Sequence, residues 1–304
     1  MRLTDRVRKT QKSRDTEGPF ELYVTRTPGY LWAVAFERLG VHPVAVTLMS
    51  IVIGAASGWF FYSTDVRVNA IGMLLLMWAN WYDCADGQLA RMTGKRTMVG
   101  RVLDGFAGDV WFFFIYLFLC LRLQQEWGWG VWLLGAWSGL HCHCRQCAIG
   151  DYYRNVHMYF ELGRERAELD ESQVLQKQYD ALRWSREEWF RKLYLFFYIR
   201  YTRGQEAQAP AVVRMKRSLE QWFPAGVPAG LREEFCRRSR PLMPLTNILT
   251  FDTRVIVLFV STAMGHPWVY FVFEATILEA VRYYMIRRHN VLCEDLMTKA
   301  AVLK

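Results

Sequence analysis

Four aspartates, Asp83, Asp86, Asp104 and Asp109, fall within residues 83–109, at the edges of two strongly apolar runs. A carboxylate at membrane depth costs about 2.5–3.5 kcal/mol or more unless it pairs, binds a metal or lines a wet cavity, so it marks a functional site by default. At 100° per residue Asp83 and Asp86 stand about 60° apart on one helix face, and Gly87 and Ala90 extend the same stripe. Small side chains there let another helix or a bulky ligand approach the backbone closely. Asp104, across a loop containing Arg91, Lys95 and Arg96, can meet the first pair. Clustered carboxylates with no lysine in the span call for a hard divalent cation, Mg²⁺ or Mn²⁺, and cations held this way commonly bind phosphates. A plainer reading pairs the acids with Arg91 and Arg101 at the membrane surface.

The elements that must position these residues follow from hydropathy. Of 304 residues, 52% are hydrophobic and 22% charged, and the mean hydropathy is +0.00, so apolar and charged segments must alternate. An aromatic content of 15% excludes a disordered chain. A bilayer core about 30 Å thick needs about 20 apolar helical residues, and six such runs are expected, at about 43–62, 69–91, 102–121, 127–149, 242–264 and 268–285. The fold class is then an all-α membrane protein with six transmembrane helices, an N-terminal juxtamembrane helix and a helical cytoplasmic insert. Residues 1–42 form a basic arm and surface helix, 43–150 hold helices one to four and the acids, 151–241 are the insert, and 242–304 hold helices five and six and the tail.

The net charge is +9, from 38 Lys and Arg against 29 Asp and Glu, and the basic blocks flank the apolar runs. That arrangement favours an anionic lipid surface, and no nucleic-acid motif accompanies it, so no nucleic acid is expected as partner. Loops on one side carry few basic residues, Arg67 and Arg122. The N-terminal arm, the stretch from Arg91 to Arg101, the insert and the tail carry many. A multi-pass cell-membrane protein follows, with both termini and the acids on the cytoplasmic side. Within the insert, Ser185 and Glu188 have capping-box spacing ahead of an aromatic helix beginning at Trp189. With Arg191, Lys192 and Arg200 along it, this helix suits either the membrane interface or the protein's own cytoplasmic face. The insert otherwise reads as helical pieces without a core.

The run Asp83-Cys84-Ala85-Asp86-Gly87-Gln88-Leu89-Ala90-Arg91, followed after eight residues by Gly100 and then Asp104, resembles a known signature. It is that of the CDP-alcohol phosphotransferase (CDP-alcohol phosphatidyltransferase) family, D-x-x-D-G-x-x-A-R, eight residues, then G-x-x-x-D-x-x-x-D. The resemblance implies a membrane enzyme that moves a phosphoalcohol group, such as phosphatidyl, from a CDP-alcohol or CDP-lipid donor to an acceptor hydroxyl. CMP is released, in phospholipid or related lipid synthesis. It implies two divalent cations, Mg²⁺ or Mn²⁺, held by Asp83, Asp86, Asp104 and Asp109, with catalytic roles for Asp104 and Asp109. Gly87, Ala90, Arg91 and Gly100 would bind the nucleotide, the small residues making room and Arg91 contacting phosphate. Membrane lipids are implied partners and, dimers being usual in that family, a homodimer is the implied assembly.

One departure matters. Where the family has its last aspartate this chain has Gly108, and Asp109 follows one residue later. On a regular helix that shift turns the carboxylate by about 100°. A π-bulge, which Gly105 and Gly108 would permit, would return Asp109 to the site as ligand and general base. The alternative is a CDP-lipid-binding membrane protein that does not turn its ligand over. An ion-coupled transporter would need inverted repeats or broken mid-bilayer helices, and neither is apparent.

Weaker signals remain. His141, Cys142, His143, Cys144 and Cys147 include zinc-ligand spacings, but a single helix cannot easily surround a tetrahedral ion, so packing is the expected role. Arg145 and Arg154 suit phosphate contacts or interfacial anchors, and Asn247 and Arg254 suit the acceptor pocket. Glu274 and Glu279 are expected to bond Arg282 or other spans.

Overall fold

The computed structural model describes residues 21–163 and 169–304, together with residues 7, 13, 15–17 and 167. Most of the basic arm lies outside the described residues. Regular structure among those residues is entirely helical. A π-helical turn, Glu21–Arg26, leads into α1 (Thr27–Arg38), α2 (Pro43–Phe60), α3 (Val66–Thr93), α4 (Met98–Trp127) and α5 (Gly130–Ala136). A second π-helical segment, Trp137–His143, runs into α6 (Cys144–Leu162). Then follow α7 (Ser172–Ala181), α8 (Trp189–Gln208), α9 (Pro210–Trp222), α10 (Ala229–Ser239), α11 (Met243–Ile248) and α12 (Phe251–Ala263). The last helices are α13 (Trp268–Phe273), a π-helical segment Glu274–Leu278, and α14 (Glu279–Leu303). The chain forms two compact units, Met1–Cys144 with Arg254–Ala275, and Arg145–Thr253 with Thr276–Lys304.

In the first unit, the helices around the acids start on caps that the sequence supplies. His42 Nδ1 accepts from the Val44 N–H at 3.3 Å, ahead of Pro43 in the first helical turn. The Asp65 carboxylate accepts from Arg67 N–H at 2.8 Å, and the Thr97 hydroxyl from Gly100 N–H at 3.0 Å. Gly94 ends α3 in the left-handed conformation, φ +69°. Helix α2 packs on both α3 and α4. A Cβ on its Gly58 would stand 2.8 Å from the Phe114 carbonyl carbon, and one on Gly54 2.2 Å from the Trp111 ring. These small residues let α2 and α4 approach backbone to backbone. On the other side of α3, Ala85 and Leu89 pack with Ala33 and Phe36 of α1 and Val46 of α2.

Among the described residues, three stretches are long and apolar enough to cross a membrane, Pro43–Phe60, Met98–Trp127 and Ala229–Ala263. Six were expected. The others are helical, but Asp83, Asp86 and Arg91 in α3 and Glu274, Glu279 and Arg282 near the C-terminus dilute their hydropathy.

In the second unit, α6 passes through position 151 and ends at Leu162, so the expected start of the insert falls inside a helix. The insert also builds a small core, contrary to expectation. Leu175 and Leu182 pack with Leu195 and Ile199, because α7 and α8 each offer an apolar face to the other. Only half of the capping box forms. The Ser185 hydroxyl accepts from Glu188 N–H at 3.2 Å, while the Glu188 carboxylate accepts from the N–H of Arg183, at 3.0 Å.

Candidate functional site

The connection between α3 and α4 is only residues 94–97. At 1.5 Å per residue, Asp86 lies about 10 Å before the end of α3 and Asp104 about 9 Å after the start of α4, so the hairpin brings them level. One carboxylate oxygen from each of Asp83, Asp86 and Asp104 lies within 4.8 Å of the other two. Asp86 is 4% exposed, Asp83 half-buried and Asp104 exposed. The back of α3 is pinned. Its Cys84, Ala85, Gln88 and Leu89 are buried, the Gln88 amide donates to the Arg26 carbonyl at 3.1 Å, and Trp81 Nε1 donates to the Val24 carbonyl at 2.8 Å. The stripe of Asp83, Gly87 and Ala90 is therefore turned the other way, and each of its residues is half-buried.

These residues fit a divalent cation. The donors are all carboxylate oxygens, which hard cations prefer. Asp86 Oδ2 is buried without a hydrogen-bond partner, an arrangement that costs free energy unless a cation compensates it. Nearby, Arg91 Nε and Nη2 are buried and also lack partners. The guanidinium lies over Gly87, where a Cβ would be 3.4 Å from Nη1, and it acts electrostatically on Asp86. Donors held in this way suit phosphate oxygens. Gly100 is half-buried in the first turn of α4, over the Thr97 hydroxyl.

Asp109 is not brought to this cluster. Helix α4 is an unbroken α-helix through Gly105 and Gly108, so the expected π-bulge does not form. Asp109 consequently points about 140° away from Asp104 around the helix axis. Among the described residues, nothing lies within 4 Å of where a Cβ on Gly105 or Gly108 would be, so none of them drives a distortion there.

A second polar group, which sequence reasoning did not assemble, lies about 18 Å along α4 from Asp104, at Tyr116. Arg254 and Glu274 form an ion pair with both side chains fully buried. Glu274 also accepts from the Tyr116 hydroxyl and, at 2.8 Å, from the Ser138 hydroxyl. Arg254 Nη1 lies 3.0 Å from His143 Nδ1. Ser138 and His143 belong to one π-helical segment and Glu274 opens another, so each irregular turn serves this network. The expected place of Arg254 in an acceptor pocket is thereby corrected. Glu274, an acid inside an apolar run, was the signal that a buried cation must exist, but nothing in the spacing named it.

The remaining candidates are held structurally. Glu279 accepts from Arg282 and, at 3.1 Å, from Gln146. Arg154 Nη2 donates to Asn247 Oδ1 at 2.8 Å. His141 stacks on Trp137 with ring centroids 4.2 Å apart, and Cys147 contacts the Leu249 carbonyl. Among the described residues, the run His141–Cys147 forms no metal-ligand cluster.

Residues 40–151 match the family model described as CDP-alcohol phosphatidyltransferase. No curated protein and no solved structure matches the chain. The matched stretch contains α2, α3 and α4 entire, and with them the three convergent carboxylates and Arg91. Residues 40–151 thus match a CDP-alcohol phosphatidyltransferase domain, and they contain two of the three stretches that, among the described residues, are apolar enough to cross a membrane.

Proposed function

We propose that the protein transfers a phosphoalcohol group from a CDP-alcohol to an acceptor hydroxyl, releasing CMP, in a Mg²⁺- or Mn²⁺-dependent reaction at the cytoplasmic face of the membrane. The observation that carries this reading is the convergence of Asp83, Asp86 and Asp104 beside the buried N–H groups of Arg91, inside the matched domain. Asp83, Asp86 and Asp104 would hold two divalent ions, whose charge offsets that developing on the pyrophosphate as CMP leaves. Arg91 holds phosphate oxygens, while Gly87, Ala90 and Gly100 leave room for the nucleotide. Asp109, the base that the family likeness implies, would take the proton of the acceptor hydroxyl only if α4 turned its carboxylate by about 140° toward the cluster.

A second reading has its own observation. Asp109 faces away from the cluster on an unbroken helix, which favours a CDP-lipid-binding protein without turnover. The deciding experiment incubates purified protein with Mg²⁺ and labelled CDP-diacylglycerol or CDP-alcohols against a panel of hydroxyl acceptors, scoring CMP release and nucleotide binding separately. CMP release with any acceptor supports transfer. Mg²⁺-dependent binding without release supports the second reading, and the absence of both overturns the two together.

For the membrane arrangement, we extend the three apolar stretches to six crossings with both termini cytoplasmic. Supporting this, α3 and the helical stretches 130–149 and 268–285 have the length to span, and the basic residues gather on one side of the sequence-based topology. Assembly as a homodimer rests on family likeness alone.

A further inference from the structure

Helix α8 has two apolar faces, one buried and one exposed. Lys192, Leu195, Ile199, Thr202 and Gln205 are buried, and Leu195 and Ile199 pack with Leu175 and Leu182. The opposite face carries Trp189, Phe190, Leu193, Phe196, Phe197 and Tyr201, which are between 37% and 49% exposed. At 100° per residue they fall within an arc of about 140°. Trp184, just ahead of the helix, is 65% exposed. A contiguous aromatic patch turned outward marks an interaction surface.

Its composition indicates the partner. Trp, Tyr and Phe beside long cationic side chains match the headgroup level of a bilayer, where an aromatic ring finds apolar and polar surroundings at once. Arg183, Arg186, Arg191 and Arg200 are exposed in the stretch that carries the patch, Arg191 on the far side of the helix from it, against Glu187 and Glu188. Arg200 lies within the arc itself, its guanidinium 5.1 Å from the Phe196 ring. Lys192, in contrast, is drawn inward. Its ammonium donates to the Leu182 carbonyl at 2.6 Å and lies over the Tyr179 ring. The cations left outside are therefore arginines, which pair with phosphate through planar forks.

We propose that this face of α8 docks onto an anionic phospholipid surface, its rings entering the headgroup boundary while the arginines pair with lipid phosphates. The proposal rests on neither catalysis nor nucleotide binding.

The test uses the full chain in lipid nanodiscs. Phe197→Cys carries an environment-sensitive fluorophore, and parent protein labelled in parallel supplies the signal of the native cysteines. The discs contain phosphatidylcholine alone or with phosphatidylglycerol, each with and without nitroxide-bearing lipid. The expected result is blue-shifted emission and nitroxide quenching in the anionic discs, with membrane engagement weakened about fivefold by Arg200→Glu, the worth of roughly one cation at such a surface. Leu193→Cys gives the same readout should the first variant fail to fold. A label that stays solvent-like in both discs overturns the proposal. So does quenching indifferent to phosphatidylglycerol and to Arg200→Glu. A label shielded but unquenched, in particles of doubled protein mass, would assign the face to a second copy and overturn it as well.

Discussion

Asp86 is the acid most committed to its place, at 4% exposure with one oxygen unsatisfied. Asp86→Asn keeps its shape and removes its charge. It is expected to lower Mg²⁺ affinity by more than the about 10–100-fold that losing an outer-shell partner costs, as read by metal titration of the purified protein. Unchanged affinity would take Asp86 out of the ligand set. The Asp109 question has a paired answer. Asp109→Asn is expected to cut CMP release by about 10²–10⁴-fold, the usual worth of a general base. Adding Gly108→Asp to that variant should restore turnover, because position 108 lies about 40° from Asp104 around the helix and has open space for a side chain. Turnover untouched by the first change would place the base elsewhere. Asp83, Asp86 and Asp104 were legible in the sequence because helical spacing fixes the face of the first two and a short loop fixes the level of the third. The direction of Asp109 was not legible. Whether a helix absorbs one extra residue depends on what packs around it, and around Gly105 and Gly108 no described residue forces the matter.

At the scale of elements, the site depends on how α2 holds α3 and α4. Gly58→Ala places a methyl 2.8 Å from backbone that cannot move independently. It is expected to destabilise the protein by about 1–3 kcal/mol, read as a lower thermal midpoint in detergent. An unchanged midpoint would mean that α2 and α4 can separate freely. Glu274→Gln should cost more, about 3–5 kcal/mol, because it leaves the Arg254 charge buried without a counterion. A midpoint equal to that of the parent would mean that the pair contributes nothing to folding. The helices themselves were largely legible, since the apolar runs at 43–62 and 102–121 coincide with α2 and most of α4. Pairing between distant elements was not. Arg254 and Glu274 lie on different helices, and no periodicity links them.

At the scale of the molecule, the second unit carries a titrating group outside the membrane-spanning runs. His289 is stacked face to face on Tyr153, ring centroids 3.7 Å apart, and burial, with His157 nearby, pushes its imidazole down to about 4 from an ordinary 6.5. The unfolded chain takes up this proton near pH 6.5 and the folded unit only near 4. Stability is therefore complete above 6.5 and drains away as the pH falls between those values. The unfolding midpoint should be flat above pH 6.5 and decline below it, and His289→Phe should flatten that decline. An equal slope in the variant would assign the acid sensitivity to another group.

The first unit closes on residues far apart in the chain. Tyr116, Ser138 and His143 are synthesised long before Arg254 and Glu274, which complete their polar network. A nascent chain that stalls short of residue 254 would hold these hydroxyls and this imidazole in an oily setting without the ion pair that completes their network. Such fragments are expected to be recognised by membrane surveillance and cleared, even though the aspartate hairpin they contain has already been made.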